Sequence, residues 1–457
     1  MNIKLLNRAL QNMTPLNSRL INTRLITSRL LNLKLIFTLL ALCASGSLWA
    51  QGIERAQRPE DVGLSSERLK RLTDRMNQGV SKGEMPGAVV LVARNGKVAY
   101  LESFGARDPD SKAPMRADAI FRIASMTKPF VSLAIMMLAE EGKLSIAAPA
   151  STYLPEFANL QVGSVKTGAD GKPAIALEPL RQAMTVQDLL RHTSGLTYGA
   201  AGANPLKQAY VDAKINNRDD TNATLITKLS KLPLLFHPGS TWEYSVSTDV
   251  LGRIVEVVSG MNLDQFIAER IAKPLKLPDT GFAAAAGQAE RGARPQKEGP
   301  KNELPNVPLI TDDAKFKSGG GGMVSTASDY ARFCQFWLNG GELEGVRLVS
   351  RKSVELMTAN HLPPGTPIGP DMARFEALAP SEAMGQGFGL GFAVRTDTGR
   401  NPLHGSVGDY YWGGAYGTYF WIDPKEKLFV VMMMQSPLAR LPYRYLMRQL
   451  VYQAIVN

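Results

Sequence analysis

Apolar residues follow two rhythms along this chain, and the rhythms sort by position. Residues 65–78 place Leu69, Leu72 and Met76 along one side of a helix. Residues 87–94 are almost continuously apolar, Asn95-Gly96 follows, and 97–103 resume a strand pattern. That arrangement predicts a hairpin closed by a type I′ turn. Near the other end, 417–423, a Pro424-Lys425-Glu426-Lys427 turn and 428–434 predict a second hairpin, with a helix over about 443–455. The span between, about 130–315, reads as mostly helical, with long loops broken by Gly and Pro. The simplest packing sets both ends in one antiparallel sheet flanked by the terminal helices, with the middle as a helical subdomain. The expected class is therefore α+β, its sheet part drawn from about 60–125 and 320–457 and its helical part from about 126–319. A site is expected where the two parts meet.

Shorter signals refine this outline. Thr185-Val186-Gln187-Asp188 before Leu189 has the form of a capping box with Asp in the acidic place. It leads to a helix end at His192-Thr193-Ser194-Gly195. Helices are also expected over 129–138, about 249–256 and about 328–338. The glycine run 319–322 has no Lys-Ser/Thr pair after it, so it reads as a tight turn and not as a phosphate loop. Met432 to Met434 read as core strand.

Charge changes the picture only at the start. The net charge is +11, and six basic residues with no acid in the first fifty supply six of it. The rest is scattered and not interleaved with aromatics, which argues against a nucleic-acid partner. The basic start runs into an apolar stretch over 35–44, too short to span a bilayer as a helix. Residues 1–50 therefore read as a long basic leader with a secretory signal, cut after Ala50, and 51–457 as the folded domain. Export to the periplasm or medium is the expectation, with no stable membrane span in the mature chain. A lipid anchor at Cys43 is disfavoured by bulky Leu42 before it. Of the two cysteines, only Cys334 lies beyond the leader, which leaves no intramolecular disulfide there.

Candidate chemistry sits in three places. Ser125-Met126-Thr127-Lys128 puts a hydroxyl and an amine three residues apart where an apolar run (119–123) meets an apolar helix. Side chains three apart on a helix share a face. A serine becomes a useful nucleophile when a neighbouring base takes its proton. Trp242-Glu243-Tyr244-Ser245-Val246 follows a Pro-Gly loop and precedes a helix; a tyrosine held against a cation can accept the serine proton and return it later. Trp412-Gly413-Gly414-Ala415 leads into the 417–423 strand, where glycines let a substrate approach the backbone. The amides of Ser125 and Ala415 are then candidates for an oxyanion hole. The four histidines, His192, His237, His361 and His404, have no metal-ligand spacing, and no metal or cofactor is expected.

These three elements, in this order, resemble the serine β-lactamase and penicillin-recognising superfamily, closest to its esterase branch of family VIII carboxylesterases and related acyltransferases. The resemblance covers about 62–455. It implies a β-lactamase/transpeptidase-like fold, Ser125 as acylated nucleophile, Lys128 as its activating partner and Tyr244 as base and acid. It also places Trp412, Gly413, Gly414 and Val246 on the substrate. Two departures bear on substrate. Trp412-Gly413-Gly414 stands where β-lactamases carry Lys-Thr-Gly, and Val246 stands where they carry an Asn. Losing a cation and an amide favours neutral acyl esters. The expected partner is thus a small ester or acyl molecule, with a β-lactamase or DD-peptidase, or a non-catalytic acyl-binding or sensor domain, as the rivals.

Overall fold

Ser65 starts the first helix, Ser66–Ser81, by accepting a hydrogen bond from the Arg68 amide at 3.2 Å. Leu69, Leu72 and Met76 are buried along it, as their spacing predicts. The first hairpin follows as β1 (Gly87–Arg94) and β2 (Lys97–Asp108). Asn95 (φ 52°) and Gly96 (φ 76°) are both left-handed, which is what a type I′ turn requires. The second strand outruns the expected 103 and pairs with the short β3 (Ala113–Pro114). After β4 (Phe121–Arg122) comes a 3₁₀ turn over Ala124–Thr127, then the helix Lys128–Glu140. Residues 128 to 138 of that helix are all buried, so it runs through the interior and not along a surface.

The computed structural model describes residues 52–168, 171–200, 202 and 204–457. The expected leader, its cleavage site and Cys43 lie outside those residues. Residues 53–457 form one unit.

The middle of the chain contains a hairpin that the sequence reading did not anticipate, β5 (Gln161–Thr167) and β6 (Pro173–Pro179). The helices Val186–Leu190, Pro205–Asp212, Asn222–Leu229, Ser247–Ser259 and Leu263–Ile267 follow. The Thr185–Asp188 capping box is formed, with Asp188 N donating to Thr185 Oγ1 and Thr185 N to Asp188 Oδ2, each at 3.0 Å. Beyond the glycine turn, β7 (Val324–Ser325) pairs antiparallel with β4 and leads into the helix Ala327–Leu338. The hairpin of β8 (Glu342–Leu343) and β9 (Val346–Arg347) and the helix Arg351–Thr358 come next. The chain ends with β10 (Gln386–Phe388), β11 (Ala393–Arg395), β12 (Tyr410–Gly413), β13 (Tyr419–Asp423), β14 (Leu428–Met434) and the helix Arg440–Tyr452.

One antiparallel sheet of eight strands runs β10-β11-β12-β13-β14-β1-β2-β3. Two of its neighbouring inner strands, β14 and β1, come from opposite ends of the chain, with Leu91 opposite Val431. Both are buried along their whole length, so each face of the sheet is covered. The terminal helices pack on each other, the first of them also on β2, and Ala327–Leu338 packs on β1, β13 and β14. This is the expected α+β architecture. Each Val, Leu, Phe or Met side chain buried in β1 and β14 contributes about 1.5–3 kcal/mol.

Two boundaries differ for local reasons. The last helix begins at Arg440, not 443, because Pro442 sits in the first turn, where a missing N–H costs nothing. Trp412 and Gly413 belong to a strand of their own, β12, with Trp412 opposite Phe420, while Gly414 to Gly417 make the turn into β13.

Candidate active site

Ser125 stands on the 3₁₀ turn and Lys128 is the first residue of the helix that continues it. In a 3₁₀ turn residues three apart are eclipsed, which aligns this pair more directly than an α-helix would. Lys128 Nζ lies 3.4 Å from Ser125 Oγ. The preceding residue, Ala124, is left-handed at φ 44°. A non-glycine residue held there stores about 1–3 kcal/mol of strain, a cost often found beside functional groups.

Lys128 is fully buried and spends its donors on Ser125 Oγ, on Tyr198 OH at 3.0 Å and on the Gly320 carbonyl at 2.6 Å. The Gly320 contact explains the glycine run. A Cβ at Gly320 would come within 2.5 Å of Asp249 Oδ2 and 2.9 Å of Tyr198 OH. Asp249 holds the turn from the other side, accepting from Gly320 N at 2.9 Å and Ser318 Oγ at 2.5 Å. Burial pushes the Asp249 carboxyl above its ordinary range, although the Lys128 charge and both hydrogen bonds pull it down.

Tyr244 comes to the same place from the loop before the helix Ser247–Ser259. The Lys128 ammonium sits 4.6 Å from the centre of its ring, and the Tyr198 ring is 5.5 Å away. The Tyr244 hydroxyl accepts a hydrogen bond from Trp412 Nε1 at 3.1 Å. Lys128 therefore meets Tyr244 through the ring face, and Trp412 holds the hydroxyl. Trp412 thus makes a polar contact as well as packing its ring 5.2 Å from that of Tyr244. Val246 is buried as the N-cap of the helix Ser247–Ser259.

A buried ion pair fixes the two tyrosine-bearing segments together. Glu243 Oε1 accepts from Thr197 Oγ1 at 3.1 Å and from Lys207 Nζ at 3.0 Å, and Lys207 also pairs with Asp371. Thr197 and Glu243 each stand next to a site tyrosine. His192 packs 4.9 Å from the Tyr244 ring; burial first, and the Lys128 charge second, drive its pKa well below the ordinary histidine range, so it sits as a neutral ring.

The glycine-bearing turn after β12 faces the Ser125 segment. Thr418 Oγ1 donates to the Ile123 carbonyl at 3.1 Å, and a Cβ on Gly414 would come within 2.4 Å of that oxygen. Neither the Ser125 nor the Ala415 amide donates to a backbone carbonyl among the described residues. Two free donors beside a hydroxyl-amine pair are what an oxyanion hole needs.

The sequence reading found Ser125, Lys128, Tyr244 and Trp412, which the structure brings together. It missed Tyr198, Gly320 and Asp249. The signals were Leu196-Thr197-Tyr198 directly after His192 to Gly195, and a glycine run with no assigned partner. No group of three His, Cys, Asp or Glu side chains is disposed to hold a metal among the described residues.

The chain is 35% identical over 360 residues to an uncharacterized protein of Mycobacterium tuberculosis, covering 77% of this chain and 86% of that one. It is 31% identical over 386 residues to esterase EstB of Burkholderia gladioli, covering 79% and 89%. Among solved structures it resembles EstCE1, a hydrolase with promiscuous acyltransferase activity, at TM-score 0.69 and 27% identity, covering 84% of this chain and 99% of that one. The beta-lactamase family model matches residues 70–450, and this chain belongs to the beta-lactamase family.

Proposed function

We propose that this protein is an exported serine hydrolase of carboxylesterase type that forms an acyl-enzyme on Ser125 and passes the acyl group to water or another acceptor. The observation that carries the reading is Lys128: fully buried, 3.4 Å from Ser125 Oγ, and held against the Tyr244 ring. In the first half-reaction Ser125 Oγ bonds to the ester carbonyl carbon, and its proton passes to the Lys128–Tyr244 pair. The amides of Ser125 and Ala415 hold the oxyanion. Collapse breaks the carbon–oxygen bond to the alcohol, which leaves with the proton. Water, or an acceptor alcohol, repeats the steps in reverse and frees Ser125.

Neutral esters of short to medium chain are the substrate class. Trp412 puts an indole, not an ammonium, where a β-lactam carboxylate would need a cation, and Val246 offers no amide. The relatives' names support the ester reading, EstB as an esterase and EstCE1 as a hydrolase with acyltransferase activity. The basic leader and apolar stretch of the sequence support export.

The test is a nitrophenyl ester beside a chromogenic cephalosporin, with the wild type and Ser125→Ala. Ester turnover exceeding cephalosporin turnover by orders of magnitude, and absent from folded Ser125→Ala, is expected. Dominant cephalosporin turnover would point to a β-lactamase. Acylation without release would point to a sensor.

A further inference from the structure

The strand that lacks a cation receives one from below. Arg444, on the last helix, is buried, and its Nη2 donates to the Gly414 carbonyl at 2.6 Å and to the Thr418 carbonyl at 3.2 Å. It forms no ion pair with a carboxylate among the described residues, and its Nε has no acceptor there. The guanidinium lies 5.5 Å from the centre of the Tyr419 ring. Burial pushes its pKa down to about 10, and the nearby Tyr419 and Tyr244 oppose that shift. Gly413 is what admits it: a Cβ there would come within 2.5 Å of the guanidinium carbon.

Burying a cation without a counter-charge is expensive, and the placement of this one is specific. The Gly414 carbonyl and the Ala415 N–H are two ends of a single amide. A guanidinium on the oxygen draws electron density toward it, leaves more positive charge on the N–H, and strengthens that N–H as a donor. A negative charge arriving at the Ala415 amide would then face Arg444 across one peptide unit, where water is excluded and the attraction is least screened.

We propose that Arg444 is a positioning residue for the reaction, polarising the Gly414–Ala415 peptide so that the Ala415 amide binds the oxyanion more strongly. The inference rests on the proposed role of Ser125 and Ala415. It differs from a purely structural staple, which would hold the turn without changing the donor strength of the amide.

The test compares the wild type with Arg444→Lys, Arg444→Gln and Arg444→Met, loaded with a slowly released ester carrying a ¹³C carbonyl. Infrared difference spectra read the acyl carbonyl stretch, kinetics read kcat and KM, and melting reads the fold. In the wild type the stretch should lie below that of the same ester in water. In Arg444→Gln and Arg444→Met it should move back toward the free ester, with kcat down about three- to tenfold and KM little changed. Arg444→Lys should restore most of both. Gly413→Ala gives a second route, since its methyl would displace the guanidinium while leaving Arg444 in the sequence, and the same spectral movement is expected. An unmoved stretch in any folded variant that loses the cation from Gly414, whatever happens to melting, overturns the inference. No acyl group on wild-type Ser125, or an unshifted stretch in the wild type, would instead remove the active-site reading beneath it.

Discussion

Lys128 shows how one residue ties the site together. Its ammonium is out of water, so each of its three acceptors matters to stability as well as to placement. Tyr198→Phe removes one of them and should cost about 1–3 kcal/mol in chemical denaturation, since a buried charged donor is left unsatisfied. An unchanged midpoint would mean that water replaces the phenol. Trp412→Phe keeps the ring and deletes the N–H that holds the Tyr244 hydroxyl. About a tenfold fall in kcat with little change in KM is expected, for a group positioned and not removed. Equal kcat would show that Tyr244 is held well enough by its packing against Phe375 and His192. At this scale the sequence was informative where partners are close in the chain. Ser125 and Lys128 are three residues apart, and their geometry follows from that spacing. Tyr198, Asp249 and Gly320 approach Lys128 from 70 to 192 positions away, and nothing in their local patterns names the amine as the partner.

The elements that carry these residues were read unevenly, and the reason is burial. The strands β1 and β14 are apolar throughout and were found with their turns. The hairpin β5–β6 is mostly exposed and offers no alternation, and β12 is only four residues long and ends at Gly413. The loop carrying Tyr244 depends on the Glu243–Lys207 pair, whose side chains are 1% and 5% exposed. Lys207→Met would leave a carboxylate buried without its cation, and a loss of about 3–5 kcal/mol is expected. Because Thr197 and Glu243 adjoin Tyr198 and Tyr244, ester turnover should fall together with the melting temperature. A variant that melts normally would contradict the role given to this pair. Gly414→Ala tests the facing turn. Its methyl would overlap the Ile123 carbonyl and the Thr418 hydroxyl, and loss of activity beyond that of Thr418→Val is the expected order.

Across the whole molecule, two carboxyls contribute opposite slopes to how stability follows pH. Burial pushes Asp329 from its ordinary 3.8 up to about 7. Between those values the folded protein keeps a proton that the unfolded chain has released, so this group makes stability fall as pH rises from about 4 to about 7. Hydrogen bonds from Arg332 first, then Lys276, hold Glu344 down at about 2 against an ordinary 4.5. Its contribution is complete above about 4.5 and is lost as pH falls toward 2. The neutral His192 ring acts the other way, adding stability as pH rises toward 6.5, so substitution isolates the carboxyl: melting of Asp329→Asn relative to the wild type should improve as pH rises from about 4 to about 7, and a constant difference would contradict the Asp329 assignment. The fold as a whole was legible because both chain ends carry strong strand patterns that can only be buried against each other. The site was legible in outline through its three separated motifs, whose joint order carried the resemblance, while the contacts that complete it arise only on folding. The most direct test of the central claim is peptide mapping by mass spectrometry after brief exposure to a slowly released ester or a phosphonate. The account predicts a single adduct on Ser125, formed at a much reduced rate in Tyr244→Phe and in Lys128→Ala. An adduct on another residue, or full ester turnover with Ser125 unlabelled, would contradict it.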